Sequence, residues 1–154
     1  MLRATILLIV TLFAQPAFGG EADDVNLDIL RDTIRANKKA LVAVNLTLTD
    51  AEAAKFWPVY DRYEAELKGV NDRLVKLIED YTSHYATLTD AQAQKISEEY
   101  LAVEEDRAKV RRTYFGDFVQ AVPGKKAARF YQIENKMNAV IRYELARTIP
   151  VVEQ

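Results

Sequence analysis

The stretch from Leu48 to His84 most constrains the fold, because its apolar side chains follow a sustained seven-residue pattern and Gly69 is its single glycine. The apolar positions recur at alternating steps of four and three residues, the a/d spacing of a helix that packs along its length. The stretch therefore predicts one long amphipathic helix. The positions of the pattern are Phe56, Tyr60, Tyr63, Leu67, Val70, Leu74, Leu77, Tyr81 and His84.

A capping box marks the start of this helix. Thr49 is spaced to accept a hydrogen bond from the backbone N–H of Glu52, and the Glu52 carboxylate is spaced to accept the N–H of Thr49. Pro58 falls inside the predicted helix and removes one of its backbone hydrogen bonds. We therefore expect a helix that begins at Thr49 and bends near Pro58.

The opening of this helix is repeated along the chain. Leu48-Thr49 with Glu52 recurs as Leu88-Thr89 with Gln92, and the similarity continues to Tyr60 and Tyr100. A repeat at a fixed spacing indicates two similar helical units. The second unit predicts a helix from Thr89 to about Ala121, ended by Pro123-Gly124.

Two further helices are predicted from apolar side chains at helical spacing. The first covers residues 24–44, with Lys38 and Lys39 mostly off its apolar side, and the fourth covers residues 125–148, ended by Ile149-Pro150. The side chains expected to be buried are Leu27, Leu30, Ile34, Leu41 and Val44 in the first helix, Ile96, Tyr100, Val103, Val110, Tyr114 and Phe118 in the third, and Phe130, Ile133, Met137, Val140, Ile141 and Leu145 in the fourth.

The expected fold class is all-α, an elongated hairpin of four long helices. Glycine and proline are scarce, at 5 and 4 residues in 154, and no strand-like alternation appears beyond the N-terminus. A helix of this length spans about 50 Å, so its apolar seam needs a cover, and the usual cover is a second copy of the chain. We therefore expect a homodimer.

The first nineteen residues have the pattern of a secretory signal peptide. Arg3 precedes an apolar run from Ala4 to Ala14, and the small residues Ala17 and Gly19 fit cleavage near Gly19. An eleven-residue helix spans only about 16 Å, well short of the ~30 Å hydrocarbon core, which argues against an anchor. We expect residues 20–154 to form one exported helical domain without stable membrane insertion.

The duplicated motif in a small, exported, helical chain resembles the LTxxQ-motif family of periplasmic proteins, the Spy/CpxP-like proteins. The resemblance implies a cradle-shaped antiparallel homodimer of long helical hairpins. It also implies an ATP-independent chaperone or envelope-stress accessory protein that binds unfolded or envelope proteins. The chain departs from the family pattern in Glu52, in Phe56-Trp57-Pro58 and in its long fourth helix, which leaves open a separate family with the same fold. The motif residues are Leu48, Thr49, Glu52, Leu88, Thr89 and Gln92.

Several functional classes find no support in the sequence. The formal net charge of −2 gives no reason to expect nucleic-acid binding. Nucleotide-binding and nucleophile-elbow motifs are missing, so we expect neither an enzyme nor a cofactor. The chain has no cysteine and one histidine, His84, so a soft-metal site would need carboxylates or a second chain. Metal sensing through His84 remains the least favoured alternative.

Two sets of residues are candidates for binding clients or a partner. The first is a basic cluster on either side of the Pro123-Gly124 turn, expected at one end of the hairpin, where it could contact acidic clients or lipid headgroups. The second is the pair Tyr60 and Tyr63, whose rings suit either the core or the edge of a binding surface. The basic cluster comprises Arg107, Lys109, Arg111, Arg112, Lys125, Lys126 and Arg129.

The sequence thus favours a periplasmic, dimeric, helical chaperone or stress accessory. A non-catalytic structural or regulatory module that binds one envelope partner is the main alternative.

Overall fold

The computed structural model describes residues 37–152, apart from the side chain of Thr148, and every regular element in this range is a helix. These residues belong to one compact unit, Asn37–Gln154. The all-α prediction is confirmed for this part of the chain. The predicted signal peptide and most of the predicted first helix lie outside the described residues.

Four α-helices follow one another in the described range. Helix α1 covers residues 37–45. The others are α2, Asp50–His84; α3, Asp90–Ala121; and α4, Gly124–Thr148, with a short 3-10 turn, Tyr85–Thr87, between α2 and α3. The four helix ends predicted from Pro123-Gly124, Ile149-Pro150 and the two capping boxes lie within one or two residues of these bounds.

Both predicted capping boxes are present. Thr49 Oγ1 accepts the N–H of Glu52, and the N–H of Thr49 donates to Glu52 Oε2 at 2.8 Å. In the same way Thr89 Oγ1 accepts the N–H of Gln92, and the N–H of Thr89 donates to Gln92 Oε1 at 2.9 Å. The repeated motif therefore starts each of the two longest described helices by the same mechanism. Pro58 lies inside α2 as expected.

Helices α2 and α3 form an antiparallel hairpin. The Arg73 guanidinium of α2 pairs with the carboxylates of Glu99 and Asp106 in α3. Nearer the start of α2, Arg62 Nη2 lies 3.5 Å from Oδ2 of Asp117, which is nearer the end of α3. Helix α4 packs on this hairpin, and Arg111 Nη2 donates to Asn135 Oδ1 at 2.6 Å. Near the C-terminal end of α2, the Tyr81 hydroxyl donates a hydrogen bond of 2.7 Å to the Pro150 carbonyl.

An aromatic cluster forms the core where α2, α3 and α4 meet. The rings of Phe118 and Phe130 lie 4.4 Å apart between centroids, and Phe56 contacts both of them at 5.3 Å. Such tilted and edge-to-face pairs add stability beyond the area that they bury. The heptad positions from Phe56 to Val70 are buried, Leu74, Leu77 and Tyr81 are half-buried, and His84 is exposed. The apolar pattern of α2 therefore fades towards its C-terminus.

Four apolar side chains that the sequence placed in the core are exposed instead. In the described part of α1, Val42 is fully buried and Val44 is 73% exposed, because the core-facing side includes Val42 and the adjoining Leu46. Tyr100 lies at the edge of the buried stripe of α3, and in the second half of α4 the described part of the chain does not fully cover the apolar side. The four exposed residues are Val44, Tyr100, Val140 and Ile141.

The helices in the described range do not include a membrane-spanning segment, since none pairs sufficient length with sufficient apolar character.

Candidate binding surface

A charged cluster lies buried beside the aromatic core, where α1, α2 and α4 meet. Lys38 Nζ of α1 lies 2.6 Å from Glu64 Oε1 of α2 and 2.9 Å from Glu134 Oε1 of α4. The Glu134 side chain is completely buried, and its Oε2 accepts a hydrogen bond of 2.9 Å from the Tyr63 hydroxyl. One lysine therefore joins two carboxylates from different helices in a place where water is excluded.

The electrostatics of this cluster keep Lys38 charged. Burial by itself disfavours the ammonium ion, but the attraction of Glu134 and Glu64 outweighs burial and raises the pKa of Lys38 above its ordinary value. Burial, reinforced by the charge of Glu134, also raises the pKa of Tyr63 well above its usual range. The protonated Tyr63 hydroxyl donates its hydrogen bond to Glu134, and the cluster joins three helices through these contacts.

Helical spacing placed Lys38 off the apolar side of its helix, so the sequence did not indicate that its ammonium group lies buried in this cluster. The missed indication is Glu134, which follows Phe130 by four residues and precedes Met137 by three, and so lies on the apolar face of α4. A carboxylate on such a face requires a buried partner. Sequence alone could not show that the partner is Lys38, because the two residues are 96 positions apart in the chain.

Tyr60 and Tyr63 do not lie at the edge of a binding surface. Their side chains are 1% and 0% exposed, and both contact the ring of Phe130 at 6.0 Å. The Tyr60 hydroxyl is buried without a hydrogen-bond partner. In this structure both rings belong to the core, so they cannot contact a client or partner.

Glu52 has a second role besides capping α2. Its Oε2 also accepts a hydrogen bond from the Lys126 ammonium in the first turn of α4. The Lys126 hydrogen bond and the Thr49 N–H both lower the pKa of Glu52. The pair compensates for the unfavourable position of a lysine at a helix N-terminus, and it requires a carboxylate where the second motif carries Gln92. This contact gives Glu52 a role that Gln92 does not have in the second motif.

The predicted basic cluster is not gathered at one end of the hairpin. Arg107 is fourteen residues before the end of α3, which corresponds to about 21 Å along the helix. Arg107 is half-buried and pairs with Glu104 and Asn71. Arg111 also bonds within the protein, and its guanidinium lies 5.7 Å from the centre of the Tyr131 ring.

Some of the remaining basic candidates are bound within the protein, and the others face solvent. Lys126 is held by Glu52, and Arg129 Nε donates to the Asn45 carbonyl at 2.7 Å, which ties α4 to the end of α1. Lys109, Arg112 and Lys125 are exposed, and no ion pair joins them to another residue of the described range. The predicted cluster thus separates into side chains that hold the helices together and side chains that face solvent.

The side of α3 that faces away from the core carries an exposed apolar stripe. Leu101 is 60% exposed, Phe115 is 47% exposed and Val119 is 43% exposed. Polar or small residues lie between Leu101 and Phe115 on this side, and all positions follow steps of four and three, so the stripe repeats the seam spacing of α2 on the solvent side, over about 27 Å. We call this stripe the α3 outward face; it consists of Leu101, Glu105, Ala108, Arg112, Phe115 and Val119.

No metal-binding group of three or more histidine, cysteine or carboxylate residues occurs within residues 37–152. His84 is exposed at the end of α2, where its Nδ1 lies 2.9 Å from the Asp80 carbonyl oxygen of the preceding turn.

Comparison with known proteins adds no relative to this description: no protein-family model, curated protein or solved structure matches the chain.

Proposed function

We propose that this chain is a periplasmic, ATP-independent chaperone or envelope-stress accessory protein of the LTxxQ-motif type, and that it acts as a homodimer. The α3 outward face is the proposed client-binding surface. The export step rests on the predicted signal peptide, and the family assignment rests on the duplicated helix-capping motif.

The single observation that carries the proposal is the exposure of the apolar side chains on the α3 outward face. The buried core of the protein does not include Leu101, Phe115 or Val119. Packing within one chain therefore gives no reason for these apolar side chains to lie in solvent at the spacing of a helix seam. Exposed apolar side chains on one helix face, with polar residues beside them, offer a surface for contact with other proteins. Leu101 lies apart from Phe115 and Val119 on this face, with Glu105 and Arg112 between them, and such separate apolar contacts suit many unfolded sequences because they impose no single shape on the bound segment.

Aggregation of a reduced model client tests the proposal. We expect the purified protein to suppress aggregation without nucleotide, and Leu101→Ser with Phe115→Ser to raise the amount required by about tenfold, because two apolar contacts are lost. The matched control, Val44→Ser with Val151→Ser, removes two exposed apolar side chains elsewhere and should leave suppression unchanged.

Light scattering on the same samples separates this proposal from two others. A variant that becomes monomeric and still suppresses aggregation would assign the α3 outward face to the dimer interface instead. A folded wild-type dimer that suppresses no aggregation, together with capture of one stoichiometric envelope protein, would favour the structural or regulatory module.

A further inference from the structure

Helix α4 has a charge balance opposite to that of the whole chain. The chain has 21 basic and 23 acidic residues, whereas α4 alone has six basic and two acidic residues. Neither acidic residue of α4 is exposed: Glu134 points into the core and Glu144 is half-buried. The charge on the solvent side of α4 is therefore mostly positive, and the partly exposed Glu144 carboxylate pairs with Arg147.

Seven of the exposed residues of α4 form a straight row along the helix. They are spaced by steps of four and three, so they share one side of the helix and extend over about 33 Å. The row contains four basic and three neutral side chains, and among the neutral ones Tyr143 is 65% exposed and Val140 43% exposed. We call this row the α4 outward face; it consists of Lys125, Arg129, Gln132, Lys136, Val140, Tyr143 and Arg147.

The contacts within the protein leave most of this charge available. Arg129 bonds to a neutral carbonyl, and Arg147 lies 2.8 Å from Glu144 in an exposed pair that solvent screens. Lys125 and Lys136 have no ion pair with another residue of the described range. By contrast, the α3 outward face carries charges of both signs, Glu105 and Arg112.

We propose that the α4 outward face docks the protein on a membrane surface of anionic phospholipid headgroups. Attraction to such a surface increases with each basic residue near it and falls off within a Debye length, so a straight single-sign row uses all of its charges at once. A folded protein partner would present both signs opposite the row, because protein surfaces mix them. The Tyr143 ring, between Lys136 and Arg147, suits the boundary between headgroups and acyl chains.

Vesicle flotation tests this docking. We expect the purified protein to float with vesicles of phosphatidylglycerol mixed with phosphatidylcholine, but not with phosphatidylcholine alone, and to be released by salt. The combined change of Lys125→Gln, Lys136→Gln and Arg147→Gln should weaken binding by at least about tenfold.

Two control variants make the result specific to this face. Lys55→Gln, Lys76→Gln and Lys95→Gln remove the same charge from exposed positions on α2 and α3 and should bind like the wild type. Lys125→Arg with Lys136→Arg keeps the charge and should also bind. All variants share residues 1–36, so any affinity of the apolar N-terminal run for lipid is the same in each.

Equal weakening by the α2 and α3 control would overturn the proposal, as would equal flotation with both kinds of vesicle. Capture by immobilised polyglutamate without flotation on phosphatidylglycerol would overturn it in favour of an acidic protein partner.

Discussion

Replacing Lys38 by Met removes the ammonium group that joins the buried carboxylates of Glu64 and Glu134. Glu134 is fully buried and the Lys38 side chain is only 13% exposed, so water cannot substitute for the lost ammonium group. Removing one partner of a buried ion pair typically destabilises a protein by 3–5 kcal/mol, and the partial exposure of Lys38 places the expected loss at about 3 kcal/mol. For a chain of this size we expect the melting temperature to fall by about 10 °C.

The assay is thermal unfolding followed by circular dichroism, with Glu134→Gln in the Lys38→Met background as the control. The amide carbonyl that the second substitution introduces can still accept the Tyr63 hydroxyl, and one of the two buried negative charges is gone. We therefore expect the second substitution to recover a substantial part of the lost stability. An equal loss in the single and double variants would refute the electrostatic reasoning and would indicate lost packing around the lysine stem.

The contribution of Lys38 to the free energy of unfolding depends on pH. In the wild type, the pKa of Lys38 is raised above its ordinary value of 10.5. Its contribution is therefore fully present below about pH 10.5 and is lost as the pH rises through the folded-state pKa.

The remaining predictions concern the caps and the core. Thr49→Ala and Thr89→Ala should each lower the free energy of unfolding by about 1 kcal/mol, measured by urea denaturation, while Thr47→Ala, outside both boxes, should change it little. Phe130→Ala should cost about 3–5 kcal/mol because its ring is fully buried among other rings, whereas Phe115→Ala should cost only about 1 kcal/mol, because its ring is 47% exposed and contacts the ring of Tyr131 at 5.8 Å; the reverse order would contradict the assignment of the two faces.

Local sequence patterns predicted the helical architecture because their causes lie within a few residues. The two capping boxes involve residues three positions apart, and Pro123-Gly124 acts on the helices directly beside it. The heptad pattern of α2 likewise gave the buried side from Phe56 to Val70 correctly. Helix starts, helix ends and the main seam could therefore be predicted from the chain alone.

Features that depend on contacts between distant residues could not be predicted in this way. Whether an apolar residue such as Tyr100 is buried depends on which helix covers its turn, and periodicity does not contain that information. The partner of Glu134 and the second contact of Glu52 come from elsewhere in the chain, and the assignment of Tyr60 and Tyr63 to the core depends on Phe118 and Phe130.

The basic candidates show the same limit. Seven basic residues lie on either side of one turn in the sequence, but the rise of the helices separates their positions along α3 and α4. Carboxylates or backbone carbonyls of the protein bind several of these side chains. The α4 outward face was overlooked because two of its four basic residues, Lys136 and Arg147, lie far from the Pro123-Gly124 turn.

Photo-crosslinking to an unfolding client tests the central claim most directly. A benzophenone side chain at position 115, on the α3 outward face, should give covalent adducts with a reduced client, and the same group at the exposed position 44 on α1 should give few. Adducts at 115 that depend on client unfolding would support the proposed chaperone surface. Equal adducts at both positions, or none at 115 while aggregation is suppressed, would contradict it.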